Sequence, residues 1–301
     1  MRNAALAGFF LACLAFPAFG ETYTVAIDVG HTRASPGAIS VTGKPEYEFN
    51  LRLARKLEDR LKETNREGGA TIVPFVISSD KAMTLVARTK MAADRNADLF
   101  VSIHHDSAQD KYLEENEVDG RTERFTEKFS GYSVFVSRKN PRSEESLDLA
   151  KRIGLALGRS FPFARHHHER IAGENRPYAD EDAGVYFFDD LVVLKTAAMP
   201  AVLVECGVIV NPTEEKELLT AARQATTVAA IVRGIREYLG QAPVIRKPER
   251  TEVIETASPS PAPSSTRYPK PGTTAAPLSA PSATRYPKPG GTPSPRPEPR
   301  N

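Results

Sequence analysis

Ile27-Asp28-Val29-Gly30-His31 closes an apolar run that begins near Thr22 and passes through Val25 and Ala26. Thr22–Val29 alternates and then runs apolar at Val25, Ala26, Ile27 and Val29, which predicts a buried central strand that ends at a histidine. Two later stretches have the same design. Leu99-Phe100-Val101-Ser102-Ile103-His104 reads as a strand ending on a histidine, and Ala201-Val202-Leu203-Val204-Glu205 as one ending on a glutamate. In open α/β sheets, sites form beyond the carboxyl ends of the strands. The three strand ends are therefore expected to meet.

The intervening sequence supplies helices. Pro45-Glu46 opens one in which Phe49, Leu53, Leu57 and Leu61 recur every four residues as a buried stripe. Thr71–Ile77 reads as another strand, and its Pro74 places it at a sheet edge. A helix is expected over Met83–Arg95, a strand over Tyr132–Ser137, and a helix capped by Ser143 and running to about Leu157. Asn211-Pro212-Thr213-Glu214 has an N-cap residue, proline at the first helical position and glutamate at the third. It predicts a helix that continues to about Leu239. Residues 107–130 are polar without a clear period and read as a long surface loop. Residues 159–190 have no clear assignment. Strand–helix alternation of this kind implies an α/β single domain with a mainly parallel twisted sheet flanked by helices.

Composition bounds the rest. Residues 1–20 resemble a secretory signal: Arg2, an apolar stretch from Ala4 to Phe16, then Ala18-Phe19-Gly20 as a small-x-small cleavage site. The chain is thus expected to be exported, to the periplasm, and to meet a membrane only during export. Residues 242–301 hold 15 of the 24 prolines and few large aliphatic residues, so a disordered tail is expected there. Within it Thr266-Arg267-Tyr268-Pro269-Lys270-Pro271-Gly272 recurs unchanged at 284–290, a pattern that favours extended polyproline II. That leaves 21–241 as the folded domain. The tail carries nine Lys/Arg against four Asp/Glu, so the net charge of +2 divides into +5 there and −3 over residues 1–241. The globular part is not charged for nucleic acid. With Cys13 in the leader, Cys206 is the one mature cysteine; it can form no intramolecular disulfide and reads as a buried thiol.

His31, Glu46 and His104 offer two imidazoles and a carboxylate, the three-ligand set of a catalytic zinc. Zinc acidifies water and polarises a carbonyl, and a further group must then move the proton to the leaving amine. Glu205 is the candidate, because a carboxylate ending an otherwise apolar strand is costly to bury without a partner. The set fits a Zn2+-dependent amidohydrolase. Glu48 competes with Glu46, but on a helix the two lie on different faces.

At these residues the chain resembles the zinc-dependent N-acetylmuramoyl-L-alanine amidases, the Amidase_3 group of peptidoglycan hydrolases. Ile27-Asp28-Val29-Gly30-His31 with Ser35-Pro36-Gly37-Ala38 is similar to the opening IDPGHGG…DPGA motif of that family, and Glu46 to Leu51 to its E-x-x-x-N-L helix start. Arg88, then Ala97 to His104, resembles its R…ADLF-hydrophobic-SIH segment, and Ala201 to Gly207 with Asn211 its AVLVE-x-G…N motif. The resemblance covers about residues 23–239. It implies zinc ligands at His31, Glu46 and His104, a catalytic Glu205, and cleavage of the amide between N-acetylmuramic acid and L-alanine in peptidoglycan. Val29, Thr32, Arg33, Ser35, His105 and Asp106 depart from the family pattern; they are expected to alter loop shape and substrate contacts and to spare the ligands.

Two rival readings stand beside this one. A catalytically reduced domain that binds wall or a regulatory protein would have lost a ligand, and none is lost. A zinc hydrolase for a different acyl–amine bond remains open at the altered loop. Some relatives carry an inserted helix that fills the site until a partner removes it. Here 159–190 is the candidate insertion, with Glu169, Glu174 and Glu181 able to reach the metal. The Arg165-His166-His167-His168 run reads as a solvated loop, with an accessory metal site as the alternative.

Overall fold

Three parallel strands form the centre of the sheet: β1 (Thr22–Val29), β3 (Leu99–Asp106) and β9 (Ala201–Val208). The structure is a computed structural model and describes residues 21–118, 120–165, 167–168 and 176–241. The expected signal (1–20) and Pro-rich tail (242–301) lie outside the described residues. β2 (Thr71–Ile77) pairs with β1 at the edge, as Pro74 requires. On the other side come β6 (Ser133–Val136), β8 (Val185–Phe187) and β7 (Tyr178–Asp180), giving seven strands in the order β2-β1-β3-β9-β6-β8-β7. Within this sheet the β6–β9 and β7–β8 pairs are antiparallel and the others parallel.

Successive residues of a strand face opposite layers, and both layers are apolar. Ile27, Val101 and Val202 pack against α1 (Glu46–Thr64), α3 (Ser143–Gly158) and α6 (Ala221–Gln241) through Leu57, Ile153 and Ile231. Ala26, Phe100 and Leu203 face α2 (Leu85–Asp94) and α4 (Val192–Thr196) through Ala92 and Leu194. The four-residue stripe of α1 is buried as the spacing predicts. Each such leucine contributes on the order of 1.5–3 kcal/mol. Among the described residues no helix is long and apolar enough to cross a membrane.

The structure corrects several expectations. Residues 107–130 are not one loop: β4 (Glu114–Val118) and β5 (Arg121–Phe125) form an antiparallel hairpin. Opposed charges stabilise it, with Arg124 opposite Glu115 and their side chains 3.4 Å apart, and Gly120 takes the positive φ of the turn (72°). Ser143 starts α3 without capping it; the preceding Arg142 makes no side-chain cap. The final helix is two helices, α5 (Pro212–Leu218) and α6. Asn211 caps α5 by accepting from Thr213 N and Glu214 N. Thr220 Oγ1 accepts from Arg223 N at 3.1 Å, as an N-cap residue does for a new helix. Residues 178–180 and 185–187 are strands of the main sheet, and no helix occurs among the described residues of 159–190. The described part of that segment is therefore not an inserted helix. Val192 to Leu194 lie within α4, which precedes β9.

Candidate active site

Parallel pairing brings the carboxyl ends of β1, β3 and β9 to one edge. Asp28 lies opposite Ser102, Val29 opposite Ile103, and His104 opposite Glu205. His31 follows β1 by two residues and holds a left-handed backbone (φ 67°) that side chains rarely adopt. A braced loop supports that strain. Buried Arg88 pairs with Asp28 Oδ1 at 2.7 Å and donates to the carbonyls of Val29 and His31. Ser102 Oγ donates to the other Asp28 oxygen at 2.7 Å.

Glu46 enters from the first turn of α1 and is 4% exposed. Its Oε2 is 2.9 Å from His31 Nε2 and its Oε1 is 3.0 Å from His104 Nδ1. Ala38 N donates to Oε2 at 3.2 Å and Asn50 Nδ2 to Oε1 at 3.0 Å. Burial opposes ionisation of Glu46, but the hydrogen bonds from His104 and His31 outweigh it and hold the carboxyl well below the usual range. One donor atom from each of His31, Glu46 and His104 lies within 4.8 Å of the others. Two glycines keep the space around them open. A Cβ on Gly30 would sit 2.4 Å from His104 Nε2, and one on Gly37 (φ 83°) 2.5 Å from Glu46 Oε2. Glu48, the competing acid, is exposed on the outer face of α1.

Asn50 and His105 complete the support, and their roles are not legible from spacing. Asn50 Nδ2 also donates to Gly30 O at 3.2 Å, and its Oδ1 lies 2.8 Å from His105 Nδ1. Burial, chiefly, pushes His105 down to about 3, so it is neutral and its Nδ1–H donates to Asn50. Asn50 thus links His105, Glu46 and the loop that carries His31. His105 was expected to alter substrate contacts; it is 4% exposed and faces Asn50 and Phe49 instead. Val29 lies in the core, and Thr32 Oγ1 accepts from Ser35 N within its turn.

Glu205 stands across from His104 on β9. Its Oε2 is buried and has no hydrogen-bond partner. Burial, then the charges of Asp106 and Glu46, push its carboxyl well above the usual range. Of the carboxyls Glu46, Asp106 and Glu205, it is the one whose burial favours the protonated form, whereas the histidines beside the other two favour the ionised form. Burial also raises the Cys206 thiol, which is inert there. A cavity of about 280 Å3 opens beside His31 and His104, walled by Met83, Leu85, Leu191 and Val193. A second, of about 400 Å3, lies between the Ala38–Gly43 loop and the β4–β5 hairpin.

The histidine run is not a solvated loop where it is described. His167 and His168 are 4% and 3% exposed, and both face Asp106. Glu181 pairs with Arg165 on the surface. His166, Glu169 and Glu174 lie outside the described residues.

Residues 25–237 match the profile of the family Amidase_3, described as N-acetylmuramoyl-L-alanine amidase. The chain is 28% identical over 245 residues to N-acetylmuramoyl-L-alanine amidase AmiA of Escherichia coli K12, covering 73% of this chain and 77% of that protein. It is 30% identical over 221 residues to the uncharacterized protein YqiI of Bacillus subtilis 168, covering 73% of this chain and 87% of that protein. Among solved structures, the catalytic domain of the N-acetylmuramoyl-L-alanine amidase CwlV from Bacillus (Paenibacillus) polymyxa var. colistinus superposes with a TM-score of 0.52 at 26% identity, covering 72% of this chain and 98% of that one.

Proposed function

The chain belongs to the Amidase_3 family of N-acetylmuramoyl-L-alanine amidases, and from that premise we propose that it is an exported, zinc-dependent hydrolase of peptidoglycan. Its bond is the amide between the lactyl group of N-acetylmuramic acid and L-alanine of the stem peptide. The observation that carries this reading is the convergence of His31, Glu46 and His104 donor atoms within 4.8 Å, with Glu205 in register beside them.

The residues fit zinc. Two imidazoles and a carboxylate are a catalytic zinc set, and donor atoms around a tetrahedral ion with bonds of about 2.0–2.1 Å lie roughly 3.3 Å apart. His31 Nε2 and His104 Nδ1 each lie against a different Glu46 oxygen, at 2.9 and 3.0 Å, one donor atom of each residue is within 4.8 Å of the others, and the lack of a Cβ on Gly30 and Gly37 leaves room beside His104 and Glu46. Zinc held there would polarise the scissile carbonyl and acidify the attacking water.

The chain supplies the positioning and the proton movement. Arg88 fixes the carbonyls of Val29 and His31, and Asn50 ties Glu46 to the same loop. Glu205 Oε2 takes a proton from the attacking water as the new carbon–oxygen bond forms. It then gives that proton to the alanine nitrogen as the carbon–nitrogen bond breaks. Burial and the two neighbouring carboxylates raise its proton affinity, so the proton is held between the two steps. The cavity beside His31 and His104 gives the substrate room next to the centre, and the one along the Ala38–Gly43 loop offers a second surface for a branched polymer.

Digestion of purified sacculi with the full chain tests this. The expected products are peptide-free glycan strands and stem peptides with a free L-alanine amine, identified by mass spectrometry. Glu205→Gln is expected to slow their release by roughly 10²–10⁴-fold, the usual worth of general acid–base catalysis. Soluble fragments that still carry peptide on muramic acid would sink the bond assignment.

A further inference from the structure

Asp106 ends β3 two residues beyond His104, and it faces two consecutive histidines that follow α3. His167 Nε2 is 3.1 Å and His168 Nε2 2.9 Å from the same atom, Asp106 Oδ2. All three donor atoms lie within 4.8 Å of one another. Asp106 Oδ2 and His168 Nε2 are both buried, and neither has a hydrogen-bond partner. They are at hydrogen-bond distance but not in hydrogen-bond direction, as donors are when they face a shared centre. His167 Nε2 donates to the Ser107 carbonyl at 2.7 Å, so a cation taken up here must displace that ring proton.

We propose that Asp106, His167 and His168 form a second divalent-cation site, distinct from His31, Glu46 and His104. Two imidazoles and one carboxylate select zinc and its borderline neighbours such as cobalt over magnesium or calcium. The site is independent of the amidase reading, because it is tested by metal content and not by turnover.

The surroundings set its strength. Arg176 Nη1 is 3.2 Å from His168 Nδ1. A guanidinium only donates, so Nδ1 accepts and the ring proton sits on Nε2 in the metal-free state. A cation must displace that proton. Strong metal histidines instead donate their outer N–H to a carboxylate or carbonyl. This second site therefore binds more weakly than one with such a partner, and loading releases protons. Replacing Arg176 by glutamine removes the donor from Nδ1 and a positive charge from beside the site.

The test is equilibrium dialysis of zinc against the untagged full chain after chelator stripping, with bound metal counted by mass spectrometry and folding checked by thermal melting. Wild type is expected to bind two equivalents. Asp106→Asn and His168→Gln are each expected to bind one, and Glu46→Gln to retain the weaker one. Arg176→Gln is expected to tighten the weaker equivalent about tenfold, the low end of outer-shell effects. Asp106→Asn keeps the size of the side chain and its hydrogen bonding, so it remains informative if a histidine variant fails to fold. A wild-type stoichiometry of one that persists in Asp106→Asn overturns the proposal, as do two equivalents unchanged in both Asp106→Asn and His168→Gln. A single equivalent lost in Asp106→Asn but kept in Glu46→Gln would support this site and count against the first.

Discussion

Glu46 and Asp106 each stand between two imidazoles, and the two clusters differ in what holds the carboxylate. Glu46 rises from the first turn of a 19-residue helix and accepts from Ala38 N, Asn50 Nδ2 and, at 3.4 Å, His105 N. Its histidines follow two core strands, and the His31 loop is held by Arg88. Asp106 receives 2.8 Å support at Oδ1 from its neighbour Ser107 N, and its histidines come from a stretch without regular structure. One cluster is fastened by sheet and helix; the other is assembled by a loop that folds onto the sheet. Hydrolysis needs reacting groups fixed to within an ångström or so. The braced cluster suits that work.

If this contrast is right, cutting a brace of the first cluster must cost more than comparable changes elsewhere. The largest effect is expected for Arg88→Met, which leaves Asp28 buried and unpaired and frees the His31 loop. A loss of about 3–5 kcal/mol is expected from chemical denaturation, and a loss below about 1 kcal/mol would break the comparison. Next comes Asn50→Ala. It is expected to weaken zinc at the first cluster by roughly 10–100-fold while leaving the weaker equivalent unchanged, as read by dialysis. A parallel loss at both would mean that the clusters are not independent.

A smaller and opposite effect is expected for Glu205→Gln in the metal-free protein. The folded state raises this carboxyl above its ordinary 4.5, so it binds the proton more tightly than the unfolded chain does. That group favours folding below its ordinary range and costs stability as pH rises through the folded value. Glutamine removes the cost, so the variant should melt higher than wild type at neutral pH. The gain should vanish below the ordinary glutamate range. A variant that melts lower at neutral pH would contradict the buried, unpartnered placement of Glu205 Oε2. Last, Glu48→Gln on the exposed face of α1 is expected to change neither zinc affinity nor turnover, and stability by no more than about 0.5 kcal/mol. A loss of zinc would reassign the ligand.

The same contrast explains what could be read from the sequence. β1, β3 and β9 declare themselves by apolar runs interrupted by Asp28 and Ser102, but the strands do not stop where expected: β3 continues past His104 to Asp106 and β9 past Glu205 to Val208. Glu46 follows from the start of an amphipathic stripe. The second cluster has no such marker. His167 and His168 sit in a polar stretch with no period, where burial comes from Phe129, Phe135 and Tyr186 packing around the rings. The β4–β5 hairpin is missed for a related reason: Glu114-Glu115-Asn116-Glu117 lacks the apolar alternation that marks a half-buried strand. β7 and β8 are three residues each, too short to show any period. The break between α5 and α6 has neither glycine nor proline; it is made by the Thr220 hydroxyl, a cap hidden inside a continuous helical pattern. Glu214 has the position of a capping-box residue, yet its Oε2 accepts from Gly131 N and Val208 N instead. Tertiary contacts decide these points, and a local pattern does not contain them.

The central claim is that His31, Glu46 and His104 hold the zinc on which peptidoglycan cleavage depends. It is tested most directly by release of stem peptides from sacculi by the chelator-stripped full chain as zinc is added back. No release is expected without metal, with recovery on loading the tighter site in wild type and His168→Gln, and no recovery in Glu46→Gln at the same zinc. Release that is unchanged by the chelator, or that returns fully in Glu46→Gln, would contradict it.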